Sequence, residues 1–138
     1  GERFEGTRDH AQVVGPQGTQ PLKTRRTQSL DEAILFTTFP EVGTSEDRAR
    51  FDQVARQVKL TRYGMDCYAY ALLAAGTVDL VIEAGLKAYD IQAPIAVIEA
   101  AGGIVTDWDG NPAHEGGRAL AAANQQIHAA ALAALKLS

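Results

Sequence analysis

At 138 residues the chain has the length of about one domain, and 46% apolar with 22% charged residues is the balance of a globular chain that can bury a core. A formal net charge of −4 argues against nucleic acid or an anionic membrane as partner, because both are held through clustered Lys and Arg. No apolar run approaches the roughly 20 residues that span a bilayer, and the single Cys67 excludes an internal disulfide, which points to a reducing compartment, the cytoplasm.

The chain opens at Gly1 without an initiator Met, as a processed or partial chain would. Gly15-Pro16-Gln17-Gly18 is turn chemistry between short extended runs, and Phe4–Gly6 with His10–Val14 reads as a β-hairpin that needs a sheet to join. Lys23-Thr24-Arg25-Arg26, the one basic cluster, reads as a solvated turn. Ser29–Ala33 is a helical turn or linker, and Ile34–Phe39 a strand stopped by Pro40. Ser45 is placed to cap a helix running to Val58, with Phe51, Val54, Ala55 and Val58 at helical spacing.

Leu60–Tyr63 is a short strand leading into Gly64. Asp66 can cap an apolar helix over 67–75 that ends at Gly76, with Cys67 in the core. The strand Val78–Glu83 is almost continuously apolar, as strands covered on both faces are, and Asp79 is its one dissent. A turn then carries acids to a helix over 90–101, with Pro94 near its first turn and Gly102-Gly103 at its end. Ile104–Trp108 is a strand, Asp109-Gly110 a hairpin-type turn, Leu120–Ala123 a last strand, and 125–137 a closing helix. Alternating strands and helices imply a layered α/β domain.

Three acidic positions carry the chemistry. Glu83 and Asp90 would lie near the carboxyl end of a strand, where open α/β sheets place ligands. Carboxylates gathered there suit a hard cation such as magnesium. Spacing by itself equally allows a helix cap for Asp90 and a surface acid for Glu83. Asp66 sits at a second helix start, so two helix N-termini could converge on one cleft and favour a phosphate there; as a simple cap it needs no ligand. Asp107-Trp108-Asp109-Gly110-Asn111 lacks the later ligands of a calcium loop and reads as a turn. His10, His114 and His128 have no ligand spacing.

These residues together resemble a known pattern. Tyr89-Asp90-Ile91-Gln92-Ala93, followed by Ile98-Glu99-Ala100-Ala101-Gly102-Gly103, resembles the second signature of the inositol monophosphatase family, and Ala121-Ala122-Ala123-Asn124 resembles its closing Ala-Ala-x-Asn. Within the family, Arg62-Tyr63-Gly64-Met65-Asp66-Cys67-Tyr68-Ala69-Tyr70 and the run from Glu83 to Asp90 look most like the histidinol-phosphate phosphatase branch, from whose usual Gly Met65 departs.

The resemblance implies the α/β/α/β/α sandwich of that family, with residues 1–28 a hairpin from the end of its first lobe and 29–138 its carboxyl-terminal lobe. It implies Asp90 as a magnesium ligand, with Glu83, Asp66 and Gly64 on the substrate side. A phosphomonoester, histidinol phosphate ahead of an inositol or sugar phosphate, would be hydrolysed, since acids at Glu83 and Asp66 suit a cationic head group. The family's first signature, Asp-Pro-Ile/Leu-Asp-Gly-Thr, and its upstream metal-binding Glu are not in this sequence. These residues by themselves are therefore expected to be inactive, with the other lobe possessed by a partner segment or separate chain, and a homodimer expected for the whole. A contrasting expectation is a non-catalytic α/β binding module. An apolar face left uncovered by the absent lobe would promote association.

Overall fold

A computed structural model of the chain describes residues 1–7, 10–38, 43–64 and 67–136. The chain begins with β1 (Arg3–Gly6), β2 (Ala11–Gly15) and β3 (Gly18–Pro21), which pair antiparallel in the order β1-β2-β3. The expected hairpin is thus a three-stranded sheet, because the Gly15–Gly18 turn returns the chain for one more strand. It joins no other sheet among the described residues and lies instead on a helix. A Cβ at Gly6 would sit 2.7 Å from Val97 Cα, so the absence of a side chain lets β1 reach that helix's backbone.

A single 3-10 turn over Leu30–Glu32 leads into β4 (Ile34–Thr37). The helix α1 spans Ser45–Ala55, and its cap is Thr44 rather than Ser45. Thr44 accepts the Asp47 amide and Asp47 accepts the Thr44 amide, each at 3.1 Å, a reciprocal capping box. After β5 (Leu60–Tyr63) comes α2 (Tyr68–Ala74), then β6 (Leu80–Lys87), α3 (Ala88–Ala100), β7 (Ile104–Thr106), β8 (Gly116–Ala122) and α4 (Gln125–Ala134). The expected ends at Phe39, Pro40, Asp66 and Leu137 lie outside the described residues.

The second sheet has the order β5-β4-β6-β8-β7, with β5, β4 and β6 mutually parallel and β8 antiparallel to both its neighbours. Alternate residues of β6 feed two cores. Val81 faces a cluster with Tyr70, Leu73, Ile91, Ile95 and Ile98 from α2 and α3, which also receives Ala11 of β2 and Leu22, the residue after β3. Leu80 and Ile82 face Phe51, Val54, Trp108, Ile127 and Leu135 on the other side. The layers therefore run three-stranded sheet, α2 and α3, five-stranded sheet, α1 and α4. A strand covered on both faces must be apolar throughout, which accounts for Leu80-Val81-Ile82.

Asp79, the dissent, is fully buried at the start of β6. It accepts the Ile34 amide at 2.8 Å and pairs with Arg25 at 3.3 Å. Arg25 is thereby drawn out of the solvated turn expected of Lys23–Arg26. Asn124, the α4 cap, donates to the carbonyls of Arg25 and Thr27 and holds the same linker.

Two expectations about α3 are corrected. No turn separates β6 from α3, and Pro94 lies in the helix interior, because the helix starts at Ala88 and not at Asp90. Cys67 is exposed and does not belong to the core. Its place just ahead of α2's first residue leaves it outside the buried stripe Ala69, Tyr70, Leu73 and Ala74. The turn after β7 is as expected: Asp107 accepts the amides of Asp109 and Asn111, both at 2.8 Å, which commits its Oδ1 to the loop itself.

His128 on α4 yields a pH prediction. The Thr106 hydroxyl donates to the Asp107 carbonyl at 2.7 Å, which leaves it to accept Nε2–H of a neutral His128 at 2.8 Å. Burial holds the His128 pKa below its ordinary 6.5. As pH falls, the unfolded chain takes up this proton before the folded chain does. The contribution is complete above about 6.5 and is lost as pH drops through the folded value. Thermal melting is expected to fall over that window, and less so in His128→Gln; parallel curves for the two proteins would refute this. Among the described residues no helix is long and apolar enough to cross a membrane.

Candidate active site

The carboxyl ends of the three parallel strands meet at one place. The β4–β6 register pairs Leu35 with Leu80 and Phe36 with Val81, and continuing it by two residues sets Thr38 beside Glu83. The Thr38 hydroxyl donates to Glu83 Oε2 there. Glu83 is only 7% exposed, so its carboxylate is an acid inside the wall of the site and not a surface group. The strand itself continues past it. A register shift between Glu83 and Leu86, with Gly85 at φ +77°, swings the chain so that Leu86 and Lys87 pair with Gly117 and Gly116. Glu83 thus lies at the end of the parallel stretch, not at the end of β6.

Asp90 follows in the first turn of α3. Its Oδ2 accepts the Lys87 amide at 2.9 Å, so the plain capping role is real. Both acids also line a cleft of about 330 Å³ with Thr38, Cys67, Tyr70, Ala84, Gly85 and Leu86. The structure therefore brings Glu83 and Asp90 to one cleft, which their spacing by itself left open. Gly64 stands just beyond β5 with φ +90°, and its amide is shared between the carbonyls of Thr37 and Thr38, each at 3.0 Å. It is one residue removed from the cleft wall. Asp66 lies outside the described residues.

Three residues on this wall are absent from the sequence reading of the site. Thr38 could have been found from strand register, had the pairing of β4 with β6 been known. Cys67 reads as core only if α2 is taken to begin before it. Tyr70 looks like one more apolar helix residue, yet its side chain is buried at 2% exposure with a hydroxyl that meets no hydrogen-bond partner among the described residues. Burial, and next the charge of Glu83, push its pKa well above the ordinary tyrosine value, so the hydroxyl keeps its proton at neutral pH.

A second cleft of about 330 Å³ adjoins the first and shares Cys67, Tyr70 and Asp90 with it. Its other walls are apolar: Phe4 from β1, and Ala71, Tyr89, Ala93, Pro94 and Val97. Tyr89 is 80% exposed at the rim.

A mixed sheet between helix layers, with buried and half-buried carboxylates where its parallel strands end, defines a layered α/β protein with an acidic cleft at those strand ends. More particularly, residues 1–137 match the model of the inositol monophosphatase family, and the chain belongs to that family. It is 50% identical over 91 residues to the bifunctional phosphatase IMPL2, chloroplastic, of Arabidopsis thaliana, an alignment of 66% of this chain and 26% of the relative. Over 131 residues it is 30% identical to a histidinol-phosphatase of Streptomyces coelicolor, covering 93% of this chain and 49% of that one. An inositol monophosphatase from Zymomonas mobilis superposes with a TM-score of 0.91 at 36% identity, over 99% of this chain and 53% of that one. The chain spans about half the length of the latter two proteins, and about a quarter of the first.

Proposed function

We propose that the chain is the carboxyl-terminal part of a magnesium-dependent phosphomonoesterase that converts histidinol phosphate to histidinol, a step of histidine biosynthesis. The observation that carries this reading is the shared cleft of Glu83 and Asp90 in a chain of this family. Residues 1–28 are assigned to the end of the first lobe and 29–138 to the carboxyl-terminal lobe.

The donors fit magnesium in kind, being carboxylate oxygens, but not in number. Among the described residues no group of three His, Cys, Asp or Glu could hold a metal. Asp90 would hold the ion, with the remaining ligands contributed by the other lobe. When bound, magnesium supplies phosphate polarisation and an acidified water. Glu83, fixed by Thr38, binds the substrate's cationic group, with Asp66 and Gly64 on the same side. A homodimer in the cytoplasm completes the proposal. These residues without the other lobe are then inactive.

An inositol or sugar monophosphatase is the second reading, supported by 31% identity over 113 residues to an inositol-1-monophosphatase of Caulobacter vibrioides. A non-catalytic binding module is the third, supported by the same shortage of metal ligands. Magnesium-dependent phosphate release separates them. The complete protein is expected to favour histidinol phosphate over inositol 1-phosphate, and the chain by itself to give no repeated turnover. Preference for the inositol ester would overturn the substrate, turnover by the chain by itself would overturn its dependence on the other lobe, and no turnover by the complete protein would leave the binding module.

A further inference from the structure

Tyr70 is an expensive way to fill its position. The hydroxyl is buried without a partner among the described residues, and a phenylalanine of the same shape would occupy the site without that penalty. Packing therefore explains the ring and not the oxygen. The ring belongs to the common wall of the two clefts, the acidic one with Glu83 and the apolar one with Phe4, Ala71, Pro94 and Val97. Tyr70 and Glu83 line the same cleft. One oxygen of Glu83 is already engaged by Thr38.

A protonated tyrosine hydroxyl has one proton to donate and lone pairs that accept. Beside a carboxylate it can donate to that group while accepting from an ammonium bound by the same carboxylate. A neutral polyol can supply the hydrogen bonds but not the positive charge, and an inorganic phosphate is repelled by the carboxylate, so the arrangement discriminates through the charge of the ammonium.

We infer that Tyr70 is a specificity-determining residue. Its hydroxyl completes, with Glu83, a receptor for an ammonium group on the alcohol half of the phosphomonoester, and its ring guides the rest of that half into the apolar cleft. The substrates favoured are esters of amino alcohols that carry a flat or apolar group. This inference rests on the phosphatase reading above.

The test is Tyr70→Phe in the complete, magnesium-loaded enzyme, with histidinol phosphate set against phenyl phosphate, which has a ring but no amine. KM for the amine-bearing ester is expected to rise about tenfold, as for loss of one hydrogen bond to a charged group, with kcat little changed. Phenyl phosphate kinetics stay the same, and the substrate-free protein melts no lower than wild type. Equal losses on both esters, or a lowered melting temperature with parallel loss, would overturn the inference in favour of a structural role. Unchanged kinetics on both esters would overturn it too. If the unmodified enzyme hydrolyses neither ester, the phosphatase reading itself fails.

Discussion

Asp90→Asn in the complete enzyme is expected to lower kcat/KM for the phosphomonoester by about a hundredfold or more while leaving the fold intact. The observed capping role of Asp90 and its proposed role as a metal ligand separate in this variant. As a cap it needs only an oxygen to accept the Lys87 amide, now at 2.9 Å, and an asparagine amide still offers one. As a metal ligand it needs the charge, because a hard divalent cation takes much of its binding energy from anionic oxygen. Melting of the magnesium-free protein should therefore match wild type, and magnesium, expected to raise the melting temperature of the wild type, should raise that of the variant less. Asp90→Ala removes the cap as well and should cost about a further 1 kcal/mol of stability. If Asp90→Asn kept both the magnesium shift and the activity, Asp90 would be a cap and nothing more.

Much of this arrangement could be read from the sequence because it follows local rules. The apolar run Leu80-Val81-Ile82 announced a strand covered on both faces, and the helix after it was visible from its spacing and its glycine end. The order of residues could not show which strands become neighbours. Thr38 and Glu83 are 45 residues apart and meet only because β4 and β6 pair in parallel. The start of α3 was misplaced by two residues because Asp90 resembles a cap at the first helical position, whereas it reaches back to Lys87 from the third. Likewise β6 outruns Glu83, since the bulge at Gly85 and the paired glycines Gly116 and Gly117 let the ladder resume. Tyr70 was hidden for another reason. An aromatic residue in an apolar helix is ordinary core, and what distinguishes it is that its hydroxyl has no partner among the described residues.

Trp108→Ala is expected to be the most damaging single change to stability, at about 3–5 kcal/mol, a large part of the 5–15 kcal/mol that holds a typical domain folded. The residue, which sequence reading places at the end of a strand over Ile104–Trp108, lies just beyond β7, and its side chain is fully buried in the core beneath α1 and α4. Its indole N–H donates to the Ala119 carbonyl at 3.1 Å, tying the turn to β8. Two guanidinium groups lie against the ring, Arg50 at 5.2 Å and Arg118 at 5.6 Å from its centroid. Each is fixed elsewhere: Arg50 donates to the Leu135 carbonyl at 2.8 Å, and Arg118 pairs at 2.6 Å with Asp47 of the α1 capping box. Removing the ring would thus leave a cavity, a carbonyl without its indole donor and two buried or half-buried cations stripped of their shared surface. Trp108→Phe keeps most of the apolar volume and loses the N–H, so it should cost only about 1–2 kcal/mol. Urea unfolding of the two variants measures the difference. A loss below about 1 kcal/mol in Trp108→Ala would mean that the two arginines and their carboxylate hold α1, α4 and β8 together without the ring between them.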